Sequence, residues 1–117
     1  MTKSAHLSFT INGARLTVAR ESLALLTLAD GRGRWLQNPP PGVALWSLHA
    51  VDAEGRRADL GPTTAASCSA RTARGGVRLQ WTGVSDKAVG AGPFDVTVTI
   101  SPVPRKPGVT AWRIAVK

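Results

Sequence analysis

Residues 94–101, FDVTVTIS, and residues 109–116, VTAWRIAV, decide the fold. In the first stretch Phe94, Val96, Val98 and Ile100 alternate with Asp95, Thr97, Thr99 and Ser101; in the second Trp112, Ile114 and Val116 alternate with Arg113 and Ala115. Successive side chains of an extended chain point to opposite faces, so a period of two gives each stretch one apolar face. PVPRKPG at residues 102–108 lies between them, and its prolines and glycine favour a turn over a continued ladder. The pair reads as an antiparallel hairpin.

The same pattern recurs toward the amino terminus. Ala66, Cys68 and Ala70 alternate with Ser67, Ser69 and Arg71; after Arg74-Gly75-Gly76, Val77, Leu79 and Trp81 alternate with Arg78 and Gln80. Leu7, Phe9 and Ile11 alternate with Ser8 and Thr10, and beyond Asn12-Gly13 the alternation resumes with Leu16 and Val18 against Arg15 and Thr17. Asn-Gly supplies the two positive-φ residues that a type I′ hairpin turn requires. Between these hairpins, SLALLTL at residues 22–28 reads as a buried strand closed by Asp30-Gly31-Arg32-Gly33. Trp35 and Leu36 begin a return segment that Pro39, Pro40 and Pro41 confine to a loop or a sheet edge. VALWSLHAV at residues 43–51 carries apolar groups on both faces, the mark of a central strand, and is followed by a short arm at residues 58–60.

About eight to ten short strands and no helix of three turns predict an all-β fold, an antiparallel β-sandwich in a single domain over residues 1–117. Its expected core is Phe9, Leu16, Val18, Leu79, Trp81, Phe94, Val96, Val98, Ile100, Trp112, Ile114 and Val116, with Trp46 also inside. The chain has 117 residues, 43% hydrophobic, enough to close a core without metal or disulfide staples. A lone Cys68 forms no internal disulfide. The start, MTKSAHLSFT, has no apolar run of signal-peptide length and no stretch approaches the length of a membrane span, so no membrane is expected and the expected location is the cytoplasm. The last strand runs to Lys117 without a closing turn, which leads us to expect self-association through that carboxy-terminal edge strand.

Fifteen Lys plus Arg against seven Asp plus Glu give a formal charge of +8. The cations are scattered through turns and strands, as on a solvated surface, but Arg71, Arg78 and Arg113 alternate with core residues and must face outward. They are candidate ligand-binding residues, together with Arg34 and Trp35 beside the proline run, where an indole is free to stack on a ring. Arg32-Gly33-Arg34 and Arg74-Gly75-Gly76 look like the RG elements of nucleic-acid-binding segments, yet each occurs once, where a hairpin needs glycine, so nucleic acid is not the expected partner. His6 and His49 are the only imidazoles; Cys68 lies among small residues, and Asp52 and Glu54 fit turn chemistry better than acid–base work or calcium binding. We assign no catalytic residue, no metal and no cofactor.

The order of LSFTINGARLTV (residues 7–18), VALWSLHAVDAEG (43–55), GGVRLQWTGV (75–84) and FDVTVTISPVPRKPGVTAWRIAVK (94–117) resembles the amino-terminal β-sandwich of large bacterial carbohydrate-active enzymes, of the galactose-mutarotase-like super-sandwich type. The resemblance implies a non-catalytic module that packs on a catalytic domain or subunit of a glycoside-processing enzyme and contacts carbohydrate. It implies no catalytic residue, and the relatives continue with further strands after WRI.V, so the sandwich is expected to be an incomplete one. The alternatives are an independent module for an anionic ligand, either acidic glycan or nucleic acid, and a self-assembling structural β protein.

Overall fold

The computed structural model describes residues 5–30, 35–39 and 42–117. In chain order its strands are β1 (His6–Ile11), β2 (Ala14–Ala19), β3 (Leu25–Ala29), β4 (Trp35–Gln37), β5 (Leu48–Val51), β6 (Arg57–Leu60), β7 (Ser67–Ala73), β8 (Gly76–Asp86), β9 (Ala91–Pro102) and β10 (Thr110–Val116). One 3-10 turn at Pro62–Thr64 is the only helical segment among the described residues. A front sheet in the order β1-β2-β3-β4 and a back sheet in the order β10-β9-β8-β7 are joined by the two-stranded β5-β6 ribbon. All pairings are antiparallel, as the alternation predicts.

The two large sheets share one core. Ile11, Leu16, Val18 and Leu25 from the front meet Val77, Leu79, Trp81, Val84, Val96, Val98 and Ile100 from the back. Trp46, from the segment ahead of β5, and Leu60 of β6 close one end. Trp81 is fully buried; its ring lies edge-on to Trp46 at 5.5 Å, and its Nε1–H donates to the Ser22 carbonyl at 2.8 Å.

The opening turn has the conformation that Asn-Gly favours, with φ of 53° at Asn12 and 85° at Gly13. Asn12 also does something that turn chemistry alone does not require. Its Nδ2 donates toward the carbonyls of Val103 (3.3 Å), Lys106 (2.9 Å) and Val109 (2.9 Å), while its own carbonyl accepts from Gly108 N–H at 2.6 Å. The front-sheet turn is thereby stapled to the proline-rich loop of the back sheet. Asn12→Gly keeps the turn and deletes the side-chain staple, so it should cost about 1–2 kcal/mol, the usual net worth of one or two hydrogen bonds. Urea denaturation of the purified variant checks this.

Three expectations need correction. Residues 22–28 are not one strand: Leu23 turns at φ 57°, its N–H bonds Ala19 O at 2.7 Å, and β3 starts only at Leu25. Residues 43–51 are not a central strand either. Val43 makes a single bridge to Leu25, only Leu48–Val51 is strand, and β6 is its one strand partner among the described residues. Val43 and Val51 are 50% and 60% exposed, and it is Trp46, outside any strand, that enters the core. Finally, Trp112, Ile114 and Val116 pair with Ile100, Val98 and Val96 and share their inward face, yet they are 40%, 51% and 44% exposed. The front sheet meets the back sheet where β1 approaches β8 and β9; β10 lies one strand further out. Phe9 and Phe94 are half-buried against the core instead of inside it.

Candidate functional site on the outer face of the back sheet

The alternation that sends Val77, Leu79 and Trp81 inward sends Arg78 and Gln80 outward. Register then aligns the outward residues of neighbouring strands. Arg71 of β7 stands opposite Arg78 of β8, Arg78 opposite Thr99 of β9, and Thr99 opposite Arg113 of β10. Three of the five residues singled out from the sequence thus form a single row across all four strands. With strands roughly 4.8 Å apart, the Arg71 and Arg78 backbones are about 5 Å apart, and Arg113 lies about 10 Å from Arg78. The next row is Ser69, Gln80, Thr97 and Ala115, followed by Asp95 opposite Lys117.

Between these rows lies a shallow depression of about 420 Å³, lined by Arg78, Gln80, Asp95, Thr97, Thr99, Ala115 and Lys117. Arg71, Arg78 and Arg113 are exposed, and none has a carboxylate partner among the described residues. Asp95, the acid at the edge of the depression, accepts the Gly83 N–H at 3.2 Å. Like charges directly opposite each other on a sheet are unfavourable, so the Arg71–Arg78 pair is a cost of this face that an anion would offset. Hydroxyl and amide groups beside the arginines supply both donors and acceptors. No aromatic ring lies on this face among the described residues: Trp81, Phe94 and Trp112 have the inward parity.

Arg34 lies outside the described residues. Trp35 is placed by its backbone, opposite Ala29 at the edge of the front sheet, so it does not converge with the arginine row. Gln80, Thr97, Thr99 and Lys117 were not singled out from the sequence. The signal that finds them is the parity they share with the arginines, once strand register is known.

The other chemically able groups are engaged elsewhere. Exposed His49 points Nδ1 at Asp59 Oδ1, 2.6 Å away across the β5–β6 pair. The Cys68 thiol donates to the Glu21 carbonyl at 3.1 Å, and burial pushes its pKa up, which disfavours the thiolate. Asp52 closes the β5–β6 turn: Oδ1 accepts from the N–H groups of Arg56 (2.8 Å) and Glu54 (2.9 Å), and Oδ2 accepts from Arg56 Nε at 2.6 Å. The Arg56 N–H bond, foremost, holds this carboxyl below its ordinary value. Its contribution to stability is therefore complete above the unfolded carboxylate pKa near 3.9 and is lost as pH falls through the lower folded value. Among the described residues no three His, Cys, Asp or Glu side chains gather as a metal site.

A second depression of about 430 Å³, on the front sheet, is lined by His6, Thr17, Leu26, Thr27, Gln37 and Asn38 and contains no arginine. No protein-family model, curated protein or solved structure matches the chain, so the site stands on its own geometry.

Proposed function

We propose that this protein is a non-catalytic β-sandwich module that holds a carboxylated glycan on the outer face of its back sheet, beside the catalytic polypeptide of a glycoside-processing enzyme. The observation that supports it is the cross-strand row of Arg71, Arg78 and Arg113, unpaired by acids among the described residues and flanked by Gln80, Thr97 and Thr99. Arginine binds carboxylate through two parallel N–H bonds, and neighbouring hydroxyl and amide groups suit sugar hydroxyls. Single-stranded nucleic acid is the less suited anion, because it calls for stacking rings that this face does not offer.

The proposal is tested with polygalacturonate and its carboxyl-reduced, neutral counterpart, titrated into the purified chain by calorimetry at about 0.15 M salt. The carboxylated polymer should bind and the neutral one should not. Arg78→Ala should weaken binding roughly tenfold or more, in line with about 1.5–3 kcal/mol for a hydrogen bond to a charged group. Equal binding of both polymers, or tighter binding of single-stranded DNA at the same salt, would overturn it.

A further inference from the structure

The free edge of the back sheet has a regular pattern of open bonds. Asp95 and Lys117 exchange both backbone hydrogen bonds, at 3.0 and 2.9 Å, and Val103 N–H donates to Val109 O at 3.1 Å. Bonded and non-bonded pairs alternate along an antiparallel ladder, and the β9–β10 register runs without a shift. Ala111, Arg113 and Ala115 therefore bond to β9, while Thr110, Trp112, Ile114 and Val116 turn their N–H and C=O groups to the open edge. Among the described residues no strand pairs with β10 there. Trp112, Ile114 and Val116, half-exposed on the inward face, thus carry both the open backbone groups and an uncovered apolar stripe.

We infer that a second copy of this chain pairs with that edge, β10 against β10 about a two-fold axis at Ile114, making one eight-stranded sheet from two back sheets. Registers shifted by one residue set Arg113 against Ile114 and mix the polar and apolar faces. Centring on Arg113 sets that arginine against itself, a like-charge pair. Centring on Trp112 leaves Val116 without a partner. Only the Ile114 register joins the whole stripe: Ile114 meets the second copy's Ile114, Trp112 meets its Val116, and Arg113 meets its Ala115. The axis is perpendicular to the sheet, so both arginine rows lie on one side, although the pairing does not depend on the anion reading.

Each chain carries a formal +8, so repulsion opposes the dimer and salt screens it. Sedimentation equilibrium of the full chain should show twice the 12.3 kDa mass, with association tightening as salt rises. An acidic partner strand would behave oppositely, binding more weakly in salt. Ile114→Pro removes an N–H that β9 does not use, so it should give a monomer whose circular dichroism matches the parent. Ile114→Cys in a Cys68→Ala background should form a disulfide dimer under mild oxidation, because bonded antiparallel pairs hold their Cα atoms about 5.5 Å apart. A monomer at every concentration and salt, a dimer untouched by Ile114→Pro, or an Ile114→Cys variant that forms no cross-link would overturn the inference.

Discussion

Truncating Trp81 to alanine is expected to cost about 3–5 kcal/mol, as measured by the shift of the urea midpoint. Trp81 is the largest fully buried side chain; it sits on β8 between Cys68 of β7 and Val96 of β9 and meets Trp46 edge-on at 5.5 Å. Its removal leaves a cavity where the two sheets and the Trp46 segment converge, and it strands the Ser22 carbonyl that its indole N–H satisfies at 2.8 Å. Domains of this kind hold only about 5–15 kcal/mol in total, so the variant should be near the edge of folding. Trp81→Phe fills most of the cavity and separates packing from hydrogen bonding; about 1–2 kcal/mol of loss should remain. Trp112→Ala is the contrast: at dilutions where the chain is monomeric, a residue 40% exposed on an edge strand should cost only about 1 kcal/mol.

Gly76→Ala is expected to cost about 3 kcal/mol or more. Gly76 is the buried first residue of β8, and a Cβ there would fall inside the van der Waals shell of the Ile100 carbonyl, with Ser101 Cα at 3.2 Å. The obstacle is backbone, so no side-chain rotation relieves it; β8 and β9 must separate at the start of their ladder. Gly61→Ala is the matched control: an added Cβ meets nothing within 4 Å, and its effect should stay within about 0.5 kcal/mol. Denaturation of both variants under the same conditions checks the pair.

These two sites also show where sequence is informative and where it stops. Alternation in residues 66–81 places Trp81 on an inward face, and its burial follows because β8 has a neighbour on either side and the front sheet above it. The same alternation places Trp112, Ile114 and Val116 on that face, but periodicity reports which way a side chain points and not whether an opposing layer reaches it. Gly76 reads as the third residue of a turn, whereas the turn itself is made by Arg74 and Gly75 at φ 49° and 78°, and Gly76 is needed for close strand approach. Apolar groups on both faces also mislead at residues 43–51, where Trp46 is buried from outside any strand and Leu48–Val51 forms only a short two-stranded ribbon with β6.

The candidate site was half legible for a related reason. Outward parity of Arg71, Arg78 and Arg113 follows from their neighbours in sequence, but that the three share one row depends on register across three hairpin junctions. The β7–β8 register is fixed locally by the Arg74-Gly75 turn. The β8–β9 register includes irregularities between Trp81 and Val84 and between Val84 and Asp86, which no alternation rule foretells. Asn12 is similar: its turn role is visible in Asn-Gly, whereas its three carbonyl acceptors lie more than ninety positions away in the chain.

The most direct test of anion binding by the arginine row is a map of amide shifts in the nuclear magnetic resonance spectrum of labelled protein as oligogalacturonate is added. Perturbations should gather at Arg71, Arg78, Gln80, Thr97, Thr99 and Arg113 on the outer face of the back sheet, and carboxyl-reduced oligomer should leave those signals in place. Perturbations centred on the front-sheet depression around Thr17, Thr27 and Gln37, or the same shifts with the neutral oligomer, would contradict it.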